Sequence, residues 1–267
     1  MSDAAEALRR RSFEVLPALM FLAAAVAAWE IAVRALDVAP YLVPAPSRVW
    51  AAFMETRDVL PAHLRTTLAE ALLGLLAACV AGVGVAAVLG ASSALRRAVY
   101  PLLVISQNVP MVVMAPLLAV WFGFGMMPKV LIVALIGFFP IVVSTLDGLL
   151  RADRDLVDLA RSLGAGRAQV LRTILVPSAV PGFFAGLQIS AAYAVLGAVI
   201  GEWVGASSGL GLFISRSQTA FRVDRVFVAV IVIAAISILL FAAVHALARL
   251  AMPWQHAGQG GAEKDHA

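Results

Sequence analysis

"VLIVALIGFFPIVVSTLDGLLRADRDLVDLARSLGAGRAQVLRTILVP" runs from Val130 to Pro177. Val130 to Leu150 is apolar apart from Ser144, Thr145 and Asp147, and it is long enough as a helix to cross about 30 Å of hydrocarbon. The chain then turns polar at Arg151, Asp153, Arg154, Asp155, Asp158 and Arg161, with Gly164, Gly166 and Pro177 as breaks. A bilayer-spanning run joined to a charged, glycine-punctuated insert marks an all-α polytopic membrane protein.

The remaining sequence repeats this alternation. Of 267 residues, 62% are hydrophobic and 13% charged, with mean hydropathy +0.95, whereas a soluble domain is about a quarter charged. Windows of about 20 apolar residues place six spans at 16–36, 67–90, 98–122, 130–150, 183–205 and 226–250. The basic-then-apolar start has too long an apolar run for a signal peptide, so it reads as a retained first span. The organisation is then a cytoplasmic tail over 1–15, a permeating domain over 16–250 and a cytoplasmic tail over 251–267. With the termini inside, inward segments carry 12 Lys and Arg and outward segments 7, the asymmetry of the positive-inside rule. The loop 151–181 is then cytoplasmic. The basic balance, net charge +4, belongs to topology rather than to a nucleic-acid face.

Several chemistries lack their residues. No GxxxxGK[ST] loop occurs, and Lys129 and Lys264 are the only lysines, so energy from ATP must come from a partner. The four histidines, His63, His245, His256 and His266, have no metal-ligand spacing, and serines such as Ser144 and Ser190 sit in apolar runs without a G-x-S-x-G turn or a matching order of His and Asp. No enzyme activity, resident cofactor or metal site is expected. Cys79, the single cysteine, reads as a lipid- or helix-packing residue.

Within the loop, Leu156, Leu159, Ala160 and Leu163 fall three and four apart, an apolar stripe on a short helix with Asp155, Asp158, Arg161 and Ser162 opposite. Asp153 is the expected N-cap and Gly164 the C-cap. "RAQVLRTILV" predicts a second short helix that Pro177 stops. Such a stripe is buried either in a groove on a partner or among lipid headgroups.

The order acidic-x-Ala at 158–160, Gly164 four residues after Ala160, then Ile174 and Pro177, resembles the "EAA" loop of the permease subunits of bacterial binding-protein-dependent ABC importers. The family's Glu-Ala-Ala stands here as Asp158-Leu159-Ala160. "LVPAPSRVWAAF", the run from Val104 to Leu149, and "YAVLGAVIGEWVGASSGLGLFISRSQTAF" resemble the sulfonate, taurine and nitrate branch, and "GEWVGASSGLG" is similar to permeases for thiamine pyrimidine precursors. The resemblance implies a type I ABC importer permease of the bacterial inner membrane, acting as a homodimer with two cytoplasmic ATP-binding subunits and a periplasmic or lipid-anchored substrate-binding protein. ATP and magnesium would then sit on the partner ATPase. Asp158, Ala160 and Gly164 map to the coupling segment, with Leu156, Leu159 and Leu163 as contacts and Ile174 and Pro177 in its exit. The solute expected is a hydroxymethylpyrimidine-type precursor or, alternatively, a sulfonate, taurine or nitrate.

Polar residues at membrane depth are pathway candidates. Gln107 and Asn108, followed by Pro110 and Pro116, interrupt the third span; they either line a pathway or bond between helices. Gln188, Ser190 and Tyr193 lie on the fifth span, with Gln188 and Tyr193 not strictly on one face. Glu202 beside Trp203 at the outer end of that span is either an outer gate or an interfacial acid next to an aromatic anchor. Glu30 and Arg34 are spaced to pair, Asp147 reads as a solvated helix terminus or a salt-bridge partner near Arg151 rather than a substrate ligand, and Gly82, Gly84 and Gly90 allow close helix packing. The rival class is an ion-coupled transporter or channel, which needs a charged relay deep in the spans, whereas the acids here cluster near span ends.

Overall fold

The structure, a computed structural model, describes residues 2–253, with side chains from residue 16 onward except at 18 and 19. The expected tail beyond Pro253, with His256, Lys264 and His266, lies outside the described residues. Helix α1 (Ser2–Ala35) contains the expected first span and continues back through the expected N-terminal tail. It is followed by α2 (Pro46–Thr56), α3 (Leu60–Ala91), α4 (Ser93–Ser106), α5 (Met111–Phe122), α6 (Met126–Leu150), α7 (Arg154–Ser162) and α8 (Arg167–Val170). A π-helical turn (Leu171–Leu175) then leads into α9 (Val176–Glu202), α10 (Leu210–Thr219) and α11 (Val223–Ala251).

Among the described residues four helices have the length and apolarity to cross a bilayer: α3, α6, the continuous stretch Arg167–Glu202, and α11. The expected third span is α4 and α5, two helices meeting at 98° across 107–110. The bend has a local cause. Pro110 and the turn before it leave the backbone of Ser106 to Val109 without a regular ladder, and Asn108 returns both its N–H and its side-chain amide to the Ile105 carbonyl.

Pro177 does not stop a helix as expected. The helix passes from α8 through the π turn into α9, with the Val176 N–H reaching back to the Leu171 carbonyl and Pro177 in the first turn that follows. A proline needs no N–H partner, and the wider turn spreads the carbonyls that its ring would crowd. The Ser178 hydroxyl donates to the Ile174 carbonyl at 2.8 Å.

The helices form two compact units. One comprises the chain up to Pro61 with Phe213–Ile231. In it α2 turns Val49, Ala52 and Thr56 inward at spacings of three and four, and Pro46 supplies a preset first-turn φ. Glu30 accepts from both the amide and the hydroxyl of Ser47 (2.9 and 2.7 Å) while pairing with Arg34, as their i, i+4 spacing predicts. Arg222 bridges Glu55 (2.6 Å) and Asp224 (3.0 Å), and Arg225 reaches Glu55 at 2.7 Å. Hydrogen bonds from Arg222, then Arg225, hold the Glu55 carboxyl down to about 2.

The other unit comprises Ala62–Leu212 and the chain from Val232. Its centre is the antiparallel packing of α6 on α9, built on small residues. A Cβ on Gly186 would lie 2.5 Å from the Pro140 carbonyl oxygen, and one on Gly182 would collide with that of Ser144. Gly137 meets Ala78 and Ser190, whose hydroxyl donates to the Gly137 carbonyl at 2.8 Å. In hydrocarbon, where apolar burial against lipid gains little, such close backbone approach is what holds helices together. Gly82 and Gly90 serve α3 in the same way, against Ile141 and Leu149, whereas Gly84 faces open space. Cys79 packs beside the buried cluster of Leu75, Ala78, Ile141 and Ala191.

Candidate functional site

The loop after α6 is fixed by its own polar groups. Asp153 caps α7, accepting from the Asp155 amide at 2.9 Å, and Asp147 pairs with Arg151 at 2.8 Å. At the far end Gly164 adopts φ +85°, its N–H bonding the Arg161 carbonyl and the Ala165 N–H the Ala160 carbonyl, both at 2.9 Å. These are the paired closures of a Schellman cap, which needs a left-handed residue at the glycine position. The result is a short rigid helix presented away from the unit's core. Leu156, Leu159 and Leu163 are 51%, 57% and 80% exposed, Ala160 is half-buried, and Asp158 points outward with Arg161. Ile174 is half-buried in the π turn and Pro177 is exposed. The stripe read from sequence is thus formed, and no described residue of the chain covers it.

The pathway candidates do not converge. Gln107 and Asn108 lie exposed at the break between α4 and α5. Gln188 is half-buried, its amide 3.4 Å from His245 Nδ1, and Tyr193 is exposed on a different side of α9. Glu202 does not face solvent: it is 1% exposed. Its carboxylate accepts from the Thr67 hydroxyl and the Gly211 amide, both at 2.5 Å. Thr67 in turn accepts from the Leu210 amide at 2.9 Å, and His63 Nδ1 from that of Gly209 at 3.0 Å.

A second buried pair lies alongside. Lys129, one of the seven basic residues counted on the outward side, donates to Glu70 at 2.8 Å, with both side chains buried. Glu70 lies well inside α3 and not at its end. Among the described residues the other Glu70 oxygen has no hydrogen-bond donor, and the Glu202 carboxyl is its acidic neighbour. The sequence signal for this pair was one acid in an apolar run and a lysine in a chain with only two. Such charges survive burial only in company.

This network explains "GEWVGASSGLG". Gly201 packs on the Lys129 backbone, and Gly205 (φ +70°) and Gly209 (φ +126°) take left-handed positions where a side chain would strike Phe124 and the Glu202 carboxylate. Glycines and acid together fold the segment back onto α3.

Residues 71–253 match the family of binding-protein-dependent transport system inner membrane components. The chain is 37% identical over 250 residues to the formylaminopyrimidine transport permease protein ThiX of Halalkalibacterium halodurans, covering 92% of this chain and 98% of that one. It is 32% identical over 235 residues to the taurine transport system permease protein TauC of Escherichia coli, covering 85% and 84%. In fold it is similar to a chain of the inward-facing MetNI methionine ABC transporter, with TM-score 0.63 at 20% identity, over 72% of this chain and 95% of that one. An all-α, type I ABC importer fold, spans of bilayer length and a match over most of the chain agree: this protein belongs to the binding-protein-dependent transport system inner membrane components, the permease subunits of ABC importers.

Proposed function

We propose that two copies of this chain form the pathway for a small substituted pyrimidine of the thiamine-precursor class, driven by two cytoplasmic ATP-binding subunits and fed by an external substrate-binding protein. The observation that carries the solute is the 37% identity to a formylaminopyrimidine permease along 92% of the chain. A sulfonate such as taurine is the second reading, favoured by the relation to the taurine permease. The permease hydrolyses nothing. It changes state because ATP favours one arrangement of the assembly over the other.

In this reading both termini and the loop 151–181 face the cytoplasm, and α7 docks in the ATPase. Leu156, Leu159 and Leu163 supply the buried contacts, Asp158 and Ala160 lie along them, and the Gly164 cap sets the angle of the helix. Ile174 and Pro177 carry the push into α9. An exposed stripe of three leucines on a doubly capped helix supports this assignment.

The solute is tested on the cognate binding protein. Thermal unfolding with formylaminopyrimidine, hydroxymethylpyrimidine, taurine and nitrate separates the readings. A ligand at 100 times its Kd adds about 2.7 kcal/mol, hence a rise of several degrees. A pyrimidine shift with no taurine shift supports the proposal; the reverse transfers it to the sulfonates.

A further inference from the structure

A cavity of about 560 Å3 lies between the first turns of α4 and the last turns of α6. Arg96, Arg97 and Tyr100 of α4 and Ser144 of α6 line its polar side, and Pro101, Leu146 and Leu150 its apolar side. Tyr100 stands four residues from Arg96 and three from Arg97, so the phenol lies between two guanidiniums that line the same cavity. The one acid in the lining, Asp147, is engaged by Arg151 at 2.8 Å. Among the described residues no carboxylate stands within ion-pairing distance of Arg96 or Arg97. The amide end of α4, capped where Ser92 accepts from the Leu95 N–H at 3.3 Å, adds positive potential to the same mouth.

Two unneutralised arginines above an apolar floor, at the end of the membrane-length helix α6, suit an amphiphile with an anionic head. We propose that this cavity binds the phosphodiester of an anionic phospholipid, with acyl chains along Pro101, Leu146 and Leu150. A free phosphate would meet the same guanidiniums, but nothing in it would cover the apolar floor. Arginine favours this ligand because its planar fork pairs with two phosphate oxygens at once. Since α6 leads directly into the α7 loop, the site lies at the membrane end that faces the ATPase in the orientation proposed above, where basic pockets between spans meet anionic headgroups. The inference rests on the chain's membrane character and on the orientation proposed above, and not on its solute or its dimer.

The test uses the purified permease–ATPase complex in uncharged detergent, followed by thermal unfolding and by native mass spectrometry. Dioleoylphosphatidylglycerol, dioleoylphosphatidylcholine and inorganic phosphate are added at equal concentration. Phosphatidylglycerol should raise the Tm by several degrees and remain bound, with little effect from the other two. Arg96→Gln/Arg97→Gln should reduce bound phosphatidylglycerol at least fivefold. Arg96→Lys/Arg97→Lys, which keeps the charge, should retain most of the Tm shift and so separates loss of the site from loss of folding. Four results would each overturn the proposal: no response to phosphatidylglycerol, an equal response to phosphatidylcholine, a response to phosphate alone, or full retention by the Gln variant.

Discussion

Removing the ammonium of Lys129 leaves the buried Glu70 carboxyl without its cation and beside a second acid, Glu202. Lys129→Met should therefore cost about 3–5 kcal/mol, the usual penalty for breaking a buried pair. Glu70→Leu/Lys129→Met, which removes both charges, should recover most of that loss. Chemical unfolding of the purified permease measures both, and additive losses would contradict the pairing. The glycines give a second contrast. Gly186→Ala places a methyl 2.5 Å from the Pro140 carbonyl oxygen, on backbone that cannot move aside, and should cost about 1–3 kcal/mol. Gly84→Ala meets nothing within 4 Å and should be neutral or slightly stabilising in the same assay. Sequence gave no means to tell these two glycines apart, since only the neighbouring helix does so. The Glu30–Arg34 pair and the Asp153 cap were legible because their partners are local. The partners of Glu202 are Thr67, 135 residues away, and an amide nine residues on, and no spacing rule reports the first.

At the scale of elements, α7 is held by its own caps and so can be altered on its outer face without unfolding the spans. Leu159→Asp puts a charge on the exposed stripe and should abolish co-purification of the ATPase while membrane insertion stays at the wild-type level. Gly164→Asp should have a similar effect, because a left-handed position at φ +85° disfavours a side chain and the change redirects the helix. Wild-type ATPase yield from both variants would count against docking by α7. The tie between α2 and the start of α11 carries a pH dependence. Glu55 titrates near 2 in the fold and near 4.3 unfolded, so its contribution is complete above about pH 4.5 and fades as pH falls towards 2. The gap in stability between wild type and Glu55→Gln should accordingly narrow between pH 5 and 3; a constant gap would mean that the arginines do not act through the charge. Periodicity made α7 readable, since its stripe repeats within nine residues. It misled at Pro177, where the breaker was recognised but not the π turn that absorbs it.

At the scale of the whole molecule, the apolar runs and the charged loop together mark a polytopic permease. Composition made the membrane class legible, because long apolar runs alternate with short charged segments. The close approach of α6 and α9, and the folding of Gly201–Gly211 back onto α3, depend on contacts across the unit and could be seen only in the structure. The account turns on mechanical coupling through α7. Its most direct test is uptake of labelled solute by proteoliposomes that hold the permease, its ATPase and its binding protein. Wild type should take up solute only with ATP, and Leu159→Asp should lose uptake with equal permease in the membrane. ATP-dependent uptake at the wild-type rate by Leu159→Asp, or uptake by wild type without the ATPase, would contradict it.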